Sequence, residues 1–168
     1  MIKLKTFGSF TVGNGLTSVQ EGAWRSEKLE KLFVYLAMNR NRGVCIEDIS
    51  EAIWQVEEET DNPVGALKNL AYRLRKALRD ASFGEECIVS VRGGLYKWND
   101  DVEVTIDVEE FDRYINEAEM AFCRSKETAI ESYEKVIALY HGDFLPLRTD
   151  THWFMTLNAF YHSRYVNT

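Results

Sequence analysis

The sequence predicts an α+β chain: a small antiparallel sheet, three helices and a C-terminal hairpin over residues 1–100, followed by an all-α stretch over residues 101–168. Three observations carry this. Residues 2–12 alternate apolar and polar side chains at the strand period. From Ser26 the apolar spacing changes to threes and fours, the period of a helix. A Gly93-Gly94 pair then joins two β-rich runs, after which the pattern is helical to the end.

The elements follow in order. "IKLKTFGSFTV" reads as strand, turn or bulge at Gly8, and strand, and "GNG" at 13–15 is a second turn. Leu29, Leu32, Phe33, Leu36 and Ala37 stripe a first helix running toward "NRNRG", with Gly43 as its stop. "VCI" can add a short strand, and Ile46, Ile49, Ala52 and Ile53 stripe a short second helix. An acidic run, "EEETD", occupies 57–61. Pro63 suits the first turn of a third helix over 62–80, capped by Asn62 or Asp61. "CIVSVRGGLYKW" is the hairpin. "NDDVEVTID" is polar and lacks helical period, which places a domain boundary between residues 1–100 and 101–168. Beyond it, Val108, Phe111, Ile115 and Ala118 define one helix. Ala129, Ile130, Tyr133, Val136, Ile137 and Tyr140 define the next. "HGDFLP" breaks the pattern, and Trp153, Leu157, Phe160 and Tyr161 stripe a last helix.

Composition narrows the function classes. Hydrophobic residues make up 45% of the chain with only two prolines, which argues against disorder. No run approaches the roughly 20 apolar residues of a membrane span, and the N-terminus lacks a secretory core, so the expected compartment is the cytoplasm with no membrane partner. Cys45, Cys87 and Cys123 are odd in number and far apart, which speaks against a disulfide framework or a thiolate metal site. His141, His152 and His162 match no ligand spacing, and no nucleophile pairs with a base. No metal, cofactor or enzymatic activity is therefore expected. The tryptophans read as packing residues rather than as a stacking platform for single strands.

Charge is distributed unevenly. Residues 1–100 balance 14 basic against 14 acidic side chains, whereas residues 101–168 carry 6 and 13, so the net charge of −7 lies wholly downstream. Charge acts over roughly 8–10 Å, so an acidic chain can still hold a local polyanion site. "NPVGALKNLAYRLRKALRD", 62–80, contains five cations and no acid before its last residue. At 100° per residue, Leu67, Leu70, Ala71, Leu74, Ala77 and Leu78 share a buried arc. Lys68, Asn69, Tyr72, Arg73, Arg75, Lys76 and Arg79 occupy the opposite arc, with Gly65 near its centre.

Such a face suits duplex DNA: Lys and Arg neutralise phosphates, while Asn and Arg contact adenine and guanine edges in the major groove. Asn69, Tyr72 and Arg73 are the expected base readers, and Lys68, Arg75, Lys76 and Arg79 the phosphate contacts. Alternatively the face is merely solvated, its cations paired with Glu57, Glu58 and Glu59. A short second helix before this one and a Gly-Gly hairpin with Arg92 and Lys97 after it are the layout of a winged helix-turn-helix.

Taken in sequence, "FGSF", "KLEKLFVYLAMNRNRGVCIEDISEAIW", "LKNLAYRLRKAL", "VRGGLYKW", "VTIDVEEFDRYINEA" and "YEKVIALYHGDFLP" resemble the SARP-type bacterial transcriptional activators. In these an OmpR-like winged-helix domain precedes a bacterial transcriptional activation domain. The resemblance implies a four-stranded N-terminal sheet, the third helix in the major groove and a wing. It carries over Asn69, Tyr72, Arg73 and Arg75 as DNA-facing, with Arg92 in the wing. It further implies tetratricopeptide-like helices that support a homodimer on DNA, direct repeats at a double-stranded promoter, and contact with RNA polymerase partly through the segment between the second and third helices. Here that segment, "QVEEETD", is acidic, and the third helix begins "NPVGAL" where many relatives are polar. The chain stops inside the third helix of the activation domain, so a truncated domain is expected. The competing expectation is a protein-interaction module whose winged helix no longer binds DNA.

Overall fold

The computed structural model describes residues 1–55, 58, 60–83 and 86–168. Strands β1 (Ile2–Lys5), β2 (Thr11–Gly13) and β3 (Ser18–Gln20) lead into helices α1 (Glu27–Met38), α2 (Ile46–Ile53) and α3 (Pro63–Asp80). The hairpin β4 (Ile88–Val91) and β5 (Leu95–Trp98) follows, then β6 (Val104–Ile106). Helices α4 (Asp107–Phe122), α5 (Lys126–Leu139) and α6 (His152–Val166) complete the chain.

The strand alternation is realised: Ile2 and Leu4 are buried while Lys3 and Lys5 face solvent. The first sheet has the order β3-β2-β1-β6, and its fourth strand pairs parallel to β1, with Lys3 opposite Thr105. That strand comes from "NDDVEVTID", which reads as a linker because three residues are too few to show a period. Its Val104 and Ile106 are nonetheless buried. Four strands thus form, as the resemblance implies, but the last arrives only after the wing.

Helix α1 lies at the centre. Its predicted stripe is buried, and so are Glu30, Lys31, Val34 and Tyr35, because the helical half covers the side that the sequence leaves open. The helix ends at Met38, where the amide of Asn39 donates to the Tyr35 carbonyl. Gly43 is therefore not its stop. It lies against the wing instead, where an added Cβ would sit 3.1 Å from Leu95. The short strand expected at "VCI" is a single bridging residue, Val44, which exchanges hydrogen bonds with Tyr96 (2.7 and 2.9 Å).

The two halves are joined by more than the chain. Phe7 bridges to Phe144, the Gly8 amide donates to the Asp143 carbonyl (2.9 Å) and the Leu145 amide to the Thr6 carbonyl (2.8 Å). Gly8 has φ +83°, and an added Cβ would come within 3.0 Å of the His141 carbonyl oxygen, so both turn and contact require glycine. Asp107, at the start of α4, accepts from the amides of Thr6 (2.7 Å) and Phe7 (2.9 Å) and from the Thr6 hydroxyl. Burial raises its pKa, and these hydrogen bonds oppose the rise.

On the far side of α1, Arg148 donates to buried Glu30 (Nε to Oε2, 3.0 Å), with Glu21 and Glu27 at 3.7 and 3.6 Å. Next to it, buried Lys31 pairs with Asp150, which also accepts from Gln55. The Thr151 hydroxyl donates to the Ala52 carbonyl at the end of α2 (2.7 Å). Two oppositely directed ion pairs on consecutive residues thus fix the attitude of the helical half.

In that half α4 buries its predicted stripe, whereas α5 buries Ala129, Ser132 and Val136 and leaves Ile130 and Ile137 exposed. In α6 the buried pair is Phe154 and Tyr161. Tyr161 of the predicted stripe is thus buried, Trp153 and Leu157 are partly covered and Phe160 is exposed, so the inward face is turned by about a fifth of a turn toward Phe154.

Candidate nucleic-acid interface

Helix α3 is built as its sequence dictates. Asn62 is the cap: its Oδ1 accepts from the Gly65 amide (2.9 Å), and Pro63 fills the first helical position, where no amide is needed. Leu67, Leu70, Ala71, Leu74 and Leu78 are buried. Lys68, Asn69, Tyr72, Arg73, Lys76 and Arg79 are exposed on the other arc.

The predicted cations divide into two groups. Among the described residues, Lys68, Arg73, Lys76, Arg79 and Arg92 form no ion pair. Arg75 is turned toward the wing instead. Its Nε donates to the Ile88 carbonyl (3.1 Å) and lies 2.6 Å from Glu86, and its Nη2 reaches the Ser90 hydroxyl (3.2 Å). Lys97 on β5 pairs with Asp100. Glu58 is engaged by Lys28 at 2.7 Å, which lowers its pKa, and not by α3. Glu57 and Glu59 lie outside the described residues.

The wing is a hairpin with Val91 opposite Leu95, closed by Arg92, Gly93 and Gly94. The loop is one residue longer than the Gly-Gly pair suggests. Gly93 and Gly94 have φ +85° and +75°, which lets the chain reverse with Arg92 exposed at its tip. Arg75 thus ties the wing to the helix beside it, so both present their cations on one fixed surface. A cation four residues from Arg79 and seven from Lys68 looks like any other on a wheel, and only the hairpin's position reveals its partner.

The other chemistry-bearing residues are structural. Trp98 is buried and donates Nε1 to the Val102 carbonyl (2.7 Å), and Trp153 packs edge-on to Tyr35 with ring centres 4.9 Å apart. His162 lies 2.8 Å from Asp143, which also accepts from the Tyr140 hydroxyl. Among the described residues no group of three or more His, Cys, Asp or Glu side chains is arranged to hold a metal ion, and no helix is long and apolar enough to cross a membrane.

Residues 21–98 match the family described as Transcriptional regulatory protein, C terminal. Among solved structures the chain is similar to Mycobacterium tuberculosis EmbR, determined in complex with a low affinity phosphopeptide, with a TM-score of 0.78 and 19% identity. The alignment covers 98% of this chain and 42% of that one, so the chain spans less than half the length of its structural neighbour. At that identity the likeness is one of fold. A comparison with curated proteins gives no match. The family match falls on the winged-helix part of the resemblance, the shared fold agrees with its order of winged helix and then helices, and the matched family is one of transcription regulators.

Proposed function

Starting from residues 21–98 as a transcriptional-regulator domain on an OmpR-like winged-helix fold, we propose that the chain is a sequence-specific activator that binds double-stranded promoter DNA at direct repeats. Helix α3 lies in the major groove. The observation that carries this reading is the outward cationic face of α3, without acidic partners among the described residues, in a chain whose net charge is −7.

Asn69, Tyr72 and Arg73 read base edges, while Lys68, Lys76, Arg79 and Arg92 hold phosphates and set the register. Arg75 and Lys97 hold the wing in place through the contacts they already make. The chain works in the cytoplasm as a homodimer on DNA and meets RNA polymerase partly through the acidic segment between α2 and α3. Selection from random duplexes tests this directly: a recovered motif with repeated half-sites supports it, and recovery of no motif at low salt sinks it.

A second reading is favoured by the acidic downstream half, with 13 acids against 6 bases. In it the winged helix serves a protein-interaction module and reads no DNA. Retention of a protein partner at high salt, with no duplex shift at low salt, would select that reading.

A further inference from the structure

We infer that Val64 is a specificity-determining residue: its isopropyl group packs on the C5 methyl of a thymine and imposes an A·T requirement where the first turn of α3 meets the groove. This rests on the major-groove placement of α3 proposed above.

Val64 is 43% exposed and belongs neither to the hydrophobic core nor to the partly buried shell packed on it. Local structure does not ask for it. A β-branched residue is a weak helix former, and the position lies in the first turn, where an acid would complement the helix dipole and none is present. Packing and propensity therefore leave its presence unexplained.

Its surroundings suit a base edge. Lys68 follows one turn later, so Val64 stands in the first turn at the border between the buried arc and the cationic one. Beside it, Gly65 lacks a Cβ because the capping Asn62 side chain occupies that space, its nitrogen 2.5 Å from where the Cβ would sit. Recognition helices reach base edges with their N-terminal residues, and thymine alone among the four bases offers a methyl group in the major groove. An apolar side chain placed at the tip of a polyanion-binding face has that methyl as its matching surface.

The test uses the full chain and the duplex recovered by selection. Each thymine is replaced singly by deoxyuridine, which lacks only the C5 methyl, and binding of the wild type, Val64→Ala and Val64→Ile is titrated. One replacement in each half-site should weaken the wild type about three- to fivefold, the size of one buried methyl. Val64→Ala should bind the thymine and uracil duplexes equally, and Val64→Ile should restore the discrimination. If no thymine is sensitive, or if Val64→Ala keeps the full discrimination while duplex binding is intact, the inference fails and the DNA-binding reading stands. Absence of duplex binding by the wild type overturns both.

Discussion

Salt dependence offers the sharpest test, because the structure changes the number of cations available. Seven basic side chains were expected at the interface from the sequence, but Arg75 and Lys97 are engaged by Glu86 and Asp100. With Arg73 on bases, Lys68, Lys76, Arg79 and Arg92 remain for phosphates. Each neutralised phosphate contributes about −0.9 to the slope of log affinity against log salt, giving about −3.6 for one protomer. Between about 50 and 200 mM salt that slope weakens binding by about 150-fold. Lys68→Ala with Lys76→Ala should reduce the slope to about −1.8 and the loss to about 12-fold over the same range. Arg75→Ala should leave the slope unchanged. Fluorescence anisotropy with a duplex carrying one half-site reads all three. An unchanged slope in the double variant would remove Lys68 and Lys76 from the phosphate contacts, and a reduced slope in Arg75→Ala would show that its ion pair does not hold it.

Two further predictions concern the joint between the halves. Arg148→Met leaves buried Glu30 without its cation, which should cost about 3–5 kcal/mol in urea unfolding; a loss under about 1 kcal/mol would mean the pair is solvated. Burial raises the Asp107 pKa above its ordinary 3.8, so the folded chain holds that proton more tightly than the unfolded one. Its stabilising contribution is complete below 3.8 and is lost as pH rises through the raised value, a decline that unfolding midpoints should show in the wild type and lack in Asp107→Asn; parallel profiles would refute it.

The outward cationic face was legible because α3 is amphipathic over 18 residues, with apolar positions on one arc and cations on the other. Its cap was equally legible, since Asn62 and Pro63 act within the first turn. What escaped was set at long range. Strand β6 is short, and its partner lies about a hundred residues upstream. The burial of Glu30 and Lys31 depends on Arg148 and Asp150 arriving from the helical half. Two adjacent charges inside an apolar stripe were the available signal for that joint. The exposed Ile130 and Ile137 mislead for a related reason, because the apolar spacing of α5 marks two faces and α4 covers only one.

The late arrival of β6 limits how this architecture can be recombined. A gene fusion that attached a new module after residue 100 would carry the whole cationic face of α3 and the wing yet strip β1 of its parallel neighbour, and with it the Asp107 carboxylate that ties down Thr6 and Phe7. A cut that spares the seam therefore lies no earlier than Thr151, past the pairs that Arg148 and Asp150 make with Glu30 and Lys31, so the two halves are inherited together.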